Sequence, residues 1–191
     1  QIVTTLTGIV TNQFFGLSPL WSDPINWALG VPTGTQNALI NSSVGINGTS
    51  EFINNLFVTG AGNIAVAGGG TLNVVGSSTN NGTIIVGPNS GINAQSFTNS
   101  GTLNLAAGSV FNANGFTNQG TVNANGVGIA SSVNNLGNYI VGTSGTHTIG
   151  GQFVNSGLLR VNSGTLVIGG TLTQTAGNTE LFGGNLNLLG N

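Results

Sequence analysis

The chain has 191 residues but only one basic and three acidic side chains, and its formal net charge at pH 7 is −2. A single arginine cannot form a basic patch, which argues against nucleic-acid binding, and no apolar run approaches the roughly 20 residues of a membrane-spanning helix. With 38% hydrophobic residues and 34 glycines, the composition also differs from that of disordered segments, which combine high charge with little apolar content.

The first element predicted along the chain is a strand over residues 1 to 11. In this segment Ile2, Thr4 and Leu6 alternate with a second set of side chains, as in a β-strand. The segment opens on Gln1 rather than on a methionine. We therefore expect an exported protein from which a signal peptide has been removed.

An aromatic-rich loop follows and completes an N-terminal region that spans residues 1–37. The loop contains Trp21, Trp27 and three of the four prolines, a composition typical of loops and caps rather than of repeats. We expect both tryptophans to be buried over the first coil. The alternative is that they form a platform on which sugars stack.

Residues 38–191 repeat with a period of about 19 to 20 residues, and strand-type repeats of this length are the signature of a solenoid. Each copy contains an Asn-x-Gly step followed by a short alternating strand. The repeat glycines, whose numbers differ by 20, 19, 19, 17, 20 and 20, are Gly62, Gly82, Gly101, Gly120, Gly137, Gly157 and Gly177. The sequence therefore predicts an all-β fold, a single-stranded parallel β-helix of about eight coils, with essentially no helix.

Three further columns of residues keep the same period. Asparagine precedes the glycine by two positions and predicts a ladder at a corner, where Asn tolerates left-handed backbone and bonds the next coil, while the glycine supplies a positive φ. The ladder asparagines are Asn80, Asn99, Asn118, Asn135 and Asn155. Two positions further upstream, a column of Phe97, Phe116, Val133 and Phe153 predicts an internal aromatic stack of the three phenylalanines. A second inward-facing apolar column is predicted at Leu72, Ile92, Phe111, Ile129, Ile149, Leu166 and Leu186.

The few titratable residues form no catalytic pattern. Arg160 and Glu180 occupy the same position of consecutive repeats, which predicts an ion pair between neighbouring coils. A glycosidase needs two carboxylates within about 10 Å, and only Asp23 and Glu51 could meet. A catalytic triad through His147 would need residues from coils that lie far apart, so this histidine is predicted to lie on the surface of a strand. We therefore expect no enzymatic activity and no cofactor, and the absence of cysteine also excludes thiolate metal sites.

A resemblance to a known family begins in the cap loop. The segment Trp-Ser-Asp-Pro-Ile-Asn-Trp at 21–27, followed by Gly-Val-Pro at 30–32 and Ala-Leu-Ile at 38–40, resembles the opening of large bacterial surface β-helix proteins. This family includes autotransporter passenger-like and haemagglutinin-like adhesins, and the Asn-x-Gly-Thr-Leu-x-Val coils look like their repeats. The resemblance covers nearly the whole chain and implies a right-handed β-helix, secretion, and a role on the cell surface or in a matrix. Such adhesins commonly run to many hundreds of residues, whereas this sequence stops after about eight coils.

The two ends of the predicted solenoid suggest its function. The last residues still alternate like a coil and no polar cap follows, so we expect Leu186 and Leu188 to lie at an edge that accepts another chain. The N-terminal strand, with Ile2 and Leu6, is the predicted complementary contact. Heterologous contacts that do not close into a ring propagate into filaments.

The expected function is a non-enzymatic, extracellular structural subunit that polymerises with copies of itself on the cell surface or in a biofilm matrix. Eight coils predict an axial repeat of about 40 Å. The alternative is a cell-surface adhesin or carbohydrate-binding fragment of a longer autotransporter-like protein, which would bind surface glycans through the loop of Trp21 and Trp27.

Overall fold

The computed structural model describes residues 10–125, 128–129 and 132–190. These residues form twenty strands and one short 3₁₀ turn, Pro24–Asn26, and contain no α-helix. The strands are β1 Thr11–Gln13, β2 Asn37–Ile40, β3 Ser43–Asn47, β4 Ser50–Ile53, β5 Leu56–Val58, β6 Asn63–Ala67, β7 Thr71–Asn80, β8 Thr83–Val86, β9 Gly91–Asn99, β10 Thr102–Leu105, β11 Val110–Asn118, β12 Thr121–Ala124, β13 Gly128–Ile129, β14 Ser132–Asn135, β15 Asn138–Ile149, β16 Phe153–Asn155, β17 Leu158–Ile168, β18 Leu172–Gln174, β19 Asn178–Leu181 and β20 Asn185–Leu188.

The strands stack in parallel into three faces of one solenoid. Face 1 contains β1, β2, β5, the second halves of β7, β9 and β11, and then β14, β16 and β18. Face 2 contains β3, β6, β8, β10, β12, the first halves of β15 and β17, and β19. Face 3 contains β4, the first halves of β7, β9 and β11, then β13, the second halves of β15 and β17, and β20.

The predicted parallel β-solenoid is confirmed. Residues one repeat apart lie side by side, as Thr102 does next to Thr121 and Leu103 next to Val122. Each of faces 2 and 3 stacks eight strands among the described residues, which corresponds to about seven turns from the first level to the last. No helix in the described residues is long and apolar enough to cross a membrane.

The core is a set of apolar columns inside the three faces. Because strand side chains alternate, one set in each coil points inward and stacks on the same position of the next coil. On face 2 one fully buried column consists of Ile64, Ile84, Leu103, Val122, Tyr139 and Leu159. The solenoid is thus stabilised by contacts between neighbouring coils, as expected for a repeat protein.

The predicted second apolar column is correct from Leu72 to Ile149 and wrong beyond it. Ile149 pairs with Ile168, whereas Leu166 pairs with His147. The column predicted from the sequence has a step of 17 residues from Ile149 to Leu166, the shortest step in that column. The structure keeps the ordinary step and buries the histidine.

The cap loop, residues 14–36, connects β1 to β2 and is hydrogen-bonded to the first coil. β1 pairs with β2 in parallel, with Asn12 opposite Ala38. Asn12 is fully buried, donates through Nδ2 to the carbonyl oxygen of Gly30 at 2.7 Å and accepts at Oδ1 from the backbone N–H of Leu29 at 3.1 Å. These bonds fix the loop over the first coil.

Candidate assembly surfaces and buried polar groups

The five repeat asparagines form a continuous ladder of side-chain amides on face 1. All five are fully buried. The Nδ2 group of each donates to Oδ1 of the next, at 2.8 Å from Asn80 to Asn99, 2.9 Å from Asn99 to Asn118, and 2.7 Å for the two following steps to Asn135 and Asn155. The structure therefore brings together every asparagine of the predicted ladder.

Each ladder amide also bonds the backbone of the following coil. Asn99 donates to the carbonyl oxygen of Thr121 at 3.0 Å, and Asn118 donates to that of Asn138 at 2.9 Å. One coil before Asn80, the same position is occupied by the apolar Val58, so the ladder begins at Asn80. It ends at Gln174, whose Oε1 accepts from Asn155 at 3.1 Å. The amides thus satisfy carbonyl groups that the corner would otherwise leave unpaired inside the protein.

The repeat glycines have a different role from the one predicted. Among the seven, only Gly177 has a positive φ, of 68°, and the ladder asparagines have none. Instead, a Cβ atom on Gly101, Gly120 or Gly137 would overlap the carbonyl oxygen of the repeat glycine one coil earlier. Glycine is needed because the corner backbones of successive coils lie too close for a side chain, and only at Gly177 does left-handed backbone add a second reason.

The predicted aromatic stack is divided into two clusters. Phe111 enters the first, with ring centroids 5.0 Å from Phe97 and 5.1 Å from Phe116, whose own rings are 5.9 Å apart. Phe153 lies two coils beyond Phe116 and instead contacts Tyr139, at 5.2 Å. The break arises because Val133 occupies the intervening level of the column.

His147 is buried, which corrects the surface position predicted for it. Its side chain is fully enclosed, and its Nε2 lies 2.7 Å from the hydroxyl oxygen of Tyr139, which is also fully buried. Alternation alone could have shown this, because Ile149 points inward and His147 lies two positions before it on the same strand. Burial raises the pKa of the Tyr139 hydroxyl far above its usual range.

This buried tyrosine predicts a simple alkaline unfolding transition. Tyr139 is the only tyrosine, and the sequence has neither cysteine nor lysine. Its folded-state pKa is raised, so its contribution to stability is complete below the unfolded pKa near 10 and is lost as the pH rises above it. We expect the free energy of unfolding to fall by about 1.4 kcal/mol per pH unit above about pH 10.

Urea titrations between pH 8 and pH 12 measure this slope, and Tyr139→Phe provides the control. The phenylalanine variant should lose the slope while starting from a stability lower by about 1 kcal/mol, because its hydrogen bond to His147 is gone. Absorbance of a phenolate in the still-folded protein near pH 10 would contradict the assignment.

Arg160 and Glu180 form the ion pair expected between neighbouring coils. Nη2 and Nε of Arg160 lie 2.7 Å and 2.8 Å from Oε2 of Glu180, and both side chains are about one third exposed. The guanidinium also lies over the ring of Phe182, 5.0 Å from its centroid. Partly exposed pairs of this kind contribute about 0 to 1 kcal/mol, so their main effect is on register and local charge.

Both tryptophans are buried in the cap. Trp21 and Trp27 pack edge to face with centroids 4.7 Å apart, and Phe14 packs against Trp27 at 5.1 Å. Nε1 of Trp27 donates to the carbonyl oxygen of Trp21 at 2.7 Å. Their exposures of 0% and 4% leave no ring face for a sugar, so the structure does not support the predicted alternative of sugar stacking.

The three acidic residues belong to different elements of the fold. Asp23 caps the 3₁₀ turn and accepts from the backbone N–H of Ile25 at 3.2 Å. Glu51 lies on face 3 in the inward column, next to Leu72. The described residues contain no group of three histidine, cysteine or acidic side chains that could hold a metal ion.

Exposed apolar side chains are concentrated at the two ends of the solenoid. Of the fifteen large apolar side chains that are exposed among the described residues, nine lie in the cap loop or in the last coil, residues 172–190. Those in the cap loop are Phe15, Leu17, Leu20, Ile25 and Leu29, and those in the last coil are Leu181, Phe182, Leu188 and Leu189. The remaining six are distributed over residues 52–136.

The predicted subunit-contact residues are only partly described. Leu186 is half-buried and Leu188 is 46% exposed, although their partners one coil earlier, Leu166 and Ile168, are fully buried. On the side of the last coil that faces away from the preceding coil, inward-pointing apolar side chains are therefore not covered by other described residues. Ile2 and Leu6 lie outside the described residues.

Comparison with known proteins adds no relative. No protein-family model matches the chain, and no match is found among curated proteins or solved structures.

Proposed function

We propose that this protein is a non-enzymatic structural subunit whose solenoids join end to end into a filament. The observation that carries the proposal is the placement of exposed apolar side chains, which concentrate in the cap loop and the last coil. A contact between one subunit's cap end and the next subunit's last coil is heterologous. Such contacts propagate in one direction unless they close into a ring.

The low charge supports close association of identical chains. With one basic and three acidic residues, the surface carries little of the like-charge repulsion that keeps soluble proteins apart. Within the last coil Glu180 is neutralised by Arg160. No net charge from this pair opposes burial of the apolar end against a second copy.

The edge of the last coil also offers backbone groups. β18, β19 and β20 each pair with a strand of the coil before them, and among the described residues none pairs with a strand beyond. An open row of N–H and C=O groups is a template for a further strand. Apolar burial and backbone hydrogen bonds would therefore act together at this end.

The proposed site of action is outside the cell, on the surface or in a biofilm matrix. This part of the proposal rests on the resemblance of the cap segment and coils to bacterial surface β-helix adhesins. A non-enzymatic role is supported by the positions of the acidic residues, with Asp23 used as a turn cap and Glu180 paired with Arg160.

Electron microscopy of the purified protein tests the proposal. We expect uniform fibres with an axial repeat of about 40 Å, from eight levels spaced by about 4.8 Å. Leu188→Glu should prevent fibre formation, because it places a charge on the apolar end. Val75→Glu, at a similarly exposed side chain away from both ends, should leave the fibres intact.

Monodisperse particles of the unmodified protein at high concentration would refute end-to-end assembly. Equal loss of fibres in the Leu188 and Val75 variants would refute the last coil as the contact.

A further inference from the structure

At the β1 end of the solenoid, the cap loop covers the edge of face 1, so that a coil of another copy cannot stack directly on that face. Phe14, just after β1, forms an antiparallel bridge with Trp27. The backbone N–H of Phe15 donates to the carbonyl oxygen of Asn26 at 2.6 Å, and that of Ala28 to the carbonyl oxygen of Gln13 at 3.1 Å. The edge of this strand is thus occupied by an antiparallel segment of the same chain, and a parallel strand from another copy cannot continue the sheet there.

The last coil, in contrast, lacks one layer of covering side chains. Leu181 is 52% exposed and Leu188 is 46% exposed, while Val161 and Ile168, at the same positions one coil earlier, are fully buried. What is needed to complete this end is an uncharged extended segment with apolar residues on one side. In the next copy the blocked edge of β1 cannot supply it on face 1, whereas on face 3, where β20 lies, β4 pairs only with β7 among the described residues and leaves its other edge free.

We infer that residues 1–9 of a second copy supply it, by adding as a strand along the free edge of β20. This inference rests on the end-to-end assembly proposed above and specifies its contact. The segment has no charged side chain and no proline, and Ile2, Thr4 and Leu6 share one side of an extended chain. Addition of an extended segment to an open sheet edge is an established mode of recognition, in which backbone bonds give affinity and alternate side chains fill pockets.

Position and length also fit the inference. The segment directly precedes β1, at the opposite end of the solenoid from β20. Nine extended residues span about 30 Å, enough to pass beside a cap and reach the neighbouring subunit. Because donor and acceptor lie at opposite ends of one chain, each subunit completes one neighbour and is completed by another.

Four proteins test the inference: the full chain, the chain without residues 1–9, Ile2→Asp/Leu6→Asp, and Thr5→Asp/Thr7→Asp. The last variant adds the same charge on the other side of the segment and is the matched control. Sedimentation and electron microscopy report assembly, and circular dichroism with tryptophan fluorescence reports that each solenoid remains folded. A fluorescent synthetic peptide of residues 1–9 is added to the truncated chain to measure binding by anisotropy.

We expect the full chain and the control variant to form fibres. The truncated chain and Ile2→Asp/Leu6→Asp should remain monomeric at concentrations at least about tenfold higher, and the peptide should bind the truncated chain. Fibres from the truncated chain at the same concentration as from the full chain would overturn the inference while leaving end-to-end assembly in place. If the full chain forms no fibres, the proposed function fails, and peptide binding alone then supports or overturns the use of this segment.

Discussion

Gly120→Ala is expected to prevent normal stacking of the central coils. The new Cβ would overlap the carbonyl oxygen of Gly101 and would lie 2.6 Å from the carbonyl carbon of Ser100. Both are backbone atoms of the coil before, which cannot rotate away as a side chain can. We expect a loss of at least about 3 kcal/mol in the free energy of unfolding, or failure to fold, because relief requires two coils to separate.

Gly115→Ala is the matched control for this prediction. Gly115 lies five residues earlier in the same coil, in the face 1 part of β11, but no atom is within 4 Å of the Cβ that alanine would add, and its φ is not positive. The control should change the free energy of unfolding by less than about 1 kcal/mol. Urea unfolding followed by tryptophan fluorescence measures both variants, and equal stability of the two would refute the close approach of the corner backbones.

Asn118→Ala is expected to have the second-largest effect. The Asn118 amide accepts from Asn99 at 2.9 Å and donates to Asn135 at 2.7 Å and to the carbonyl oxygen of Asn138 at 2.9 Å. Alanine removes these bonds and leaves buried partners on both sides unpaired. We expect a loss of about 3 to 5 kcal/mol, since each buried group without a partner costs about 1 to 3 kcal/mol.

Asn118→Asp should be at least as destabilising near pH 7, although it preserves the size of the side chain. A carboxylate cannot donate to Asn135 or to the carbonyl oxygen of Asn138, and it places a charge in the interior. Asn123→Ala, one face away in the same coil, is the control, because Asn123 is only half-buried and donates one hydrogen bond, to Asn104 at 2.8 Å. The melting temperatures of the three variants are compared by thermal unfolding. Similar values for Asn118→Ala and Asn123→Ala would show that the buried ladder contributes no more to stability than a half-buried hydrogen bond.

Both predictions concern the same contact between successive coils, at the corner between faces 1 and 2. Glycine permits the corner backbones to approach, and the asparagine two positions before it bonds the backbone of the following coil. A solenoid depends on such nearest-neighbour contacts because each coil has no other core. Damage at one level should therefore weaken the contact between two neighbouring coils rather than one local site.

The sequence by itself determined the repeat and which residues occupy its most regularly spaced positions. The nearly regular spacing of the glycines, with asparagine two positions earlier in five consecutive copies, specifies which residues share a column, because stacking in parallel brings equivalent positions together. The parallel solenoid and the positions of the ladder asparagines follow from this period. So does the closeness of Arg160 and Glu180, which requires only that equivalent positions of consecutive repeats be neighbours.

Only the tertiary structure determined the features that depend on distances between segments, or on parts of the chain that depart from the regular repeat. The pairing of Ile149 with Ile168 depends on register shifts between β15 and β17, between Val141 and Gly142 and between Gly142 and Thr146, which a search for apolar residues cannot locate. The 2.7 Å contact between His147 and Tyr139 joins two parts of β15 that lie on different faces. The antiparallel closure of β1 by the cap joins residues outside the repeat, so no period could indicate it. The need for glycine at the corner likewise follows from the distance between two backbones, a quantity that exists only once the coils are stacked.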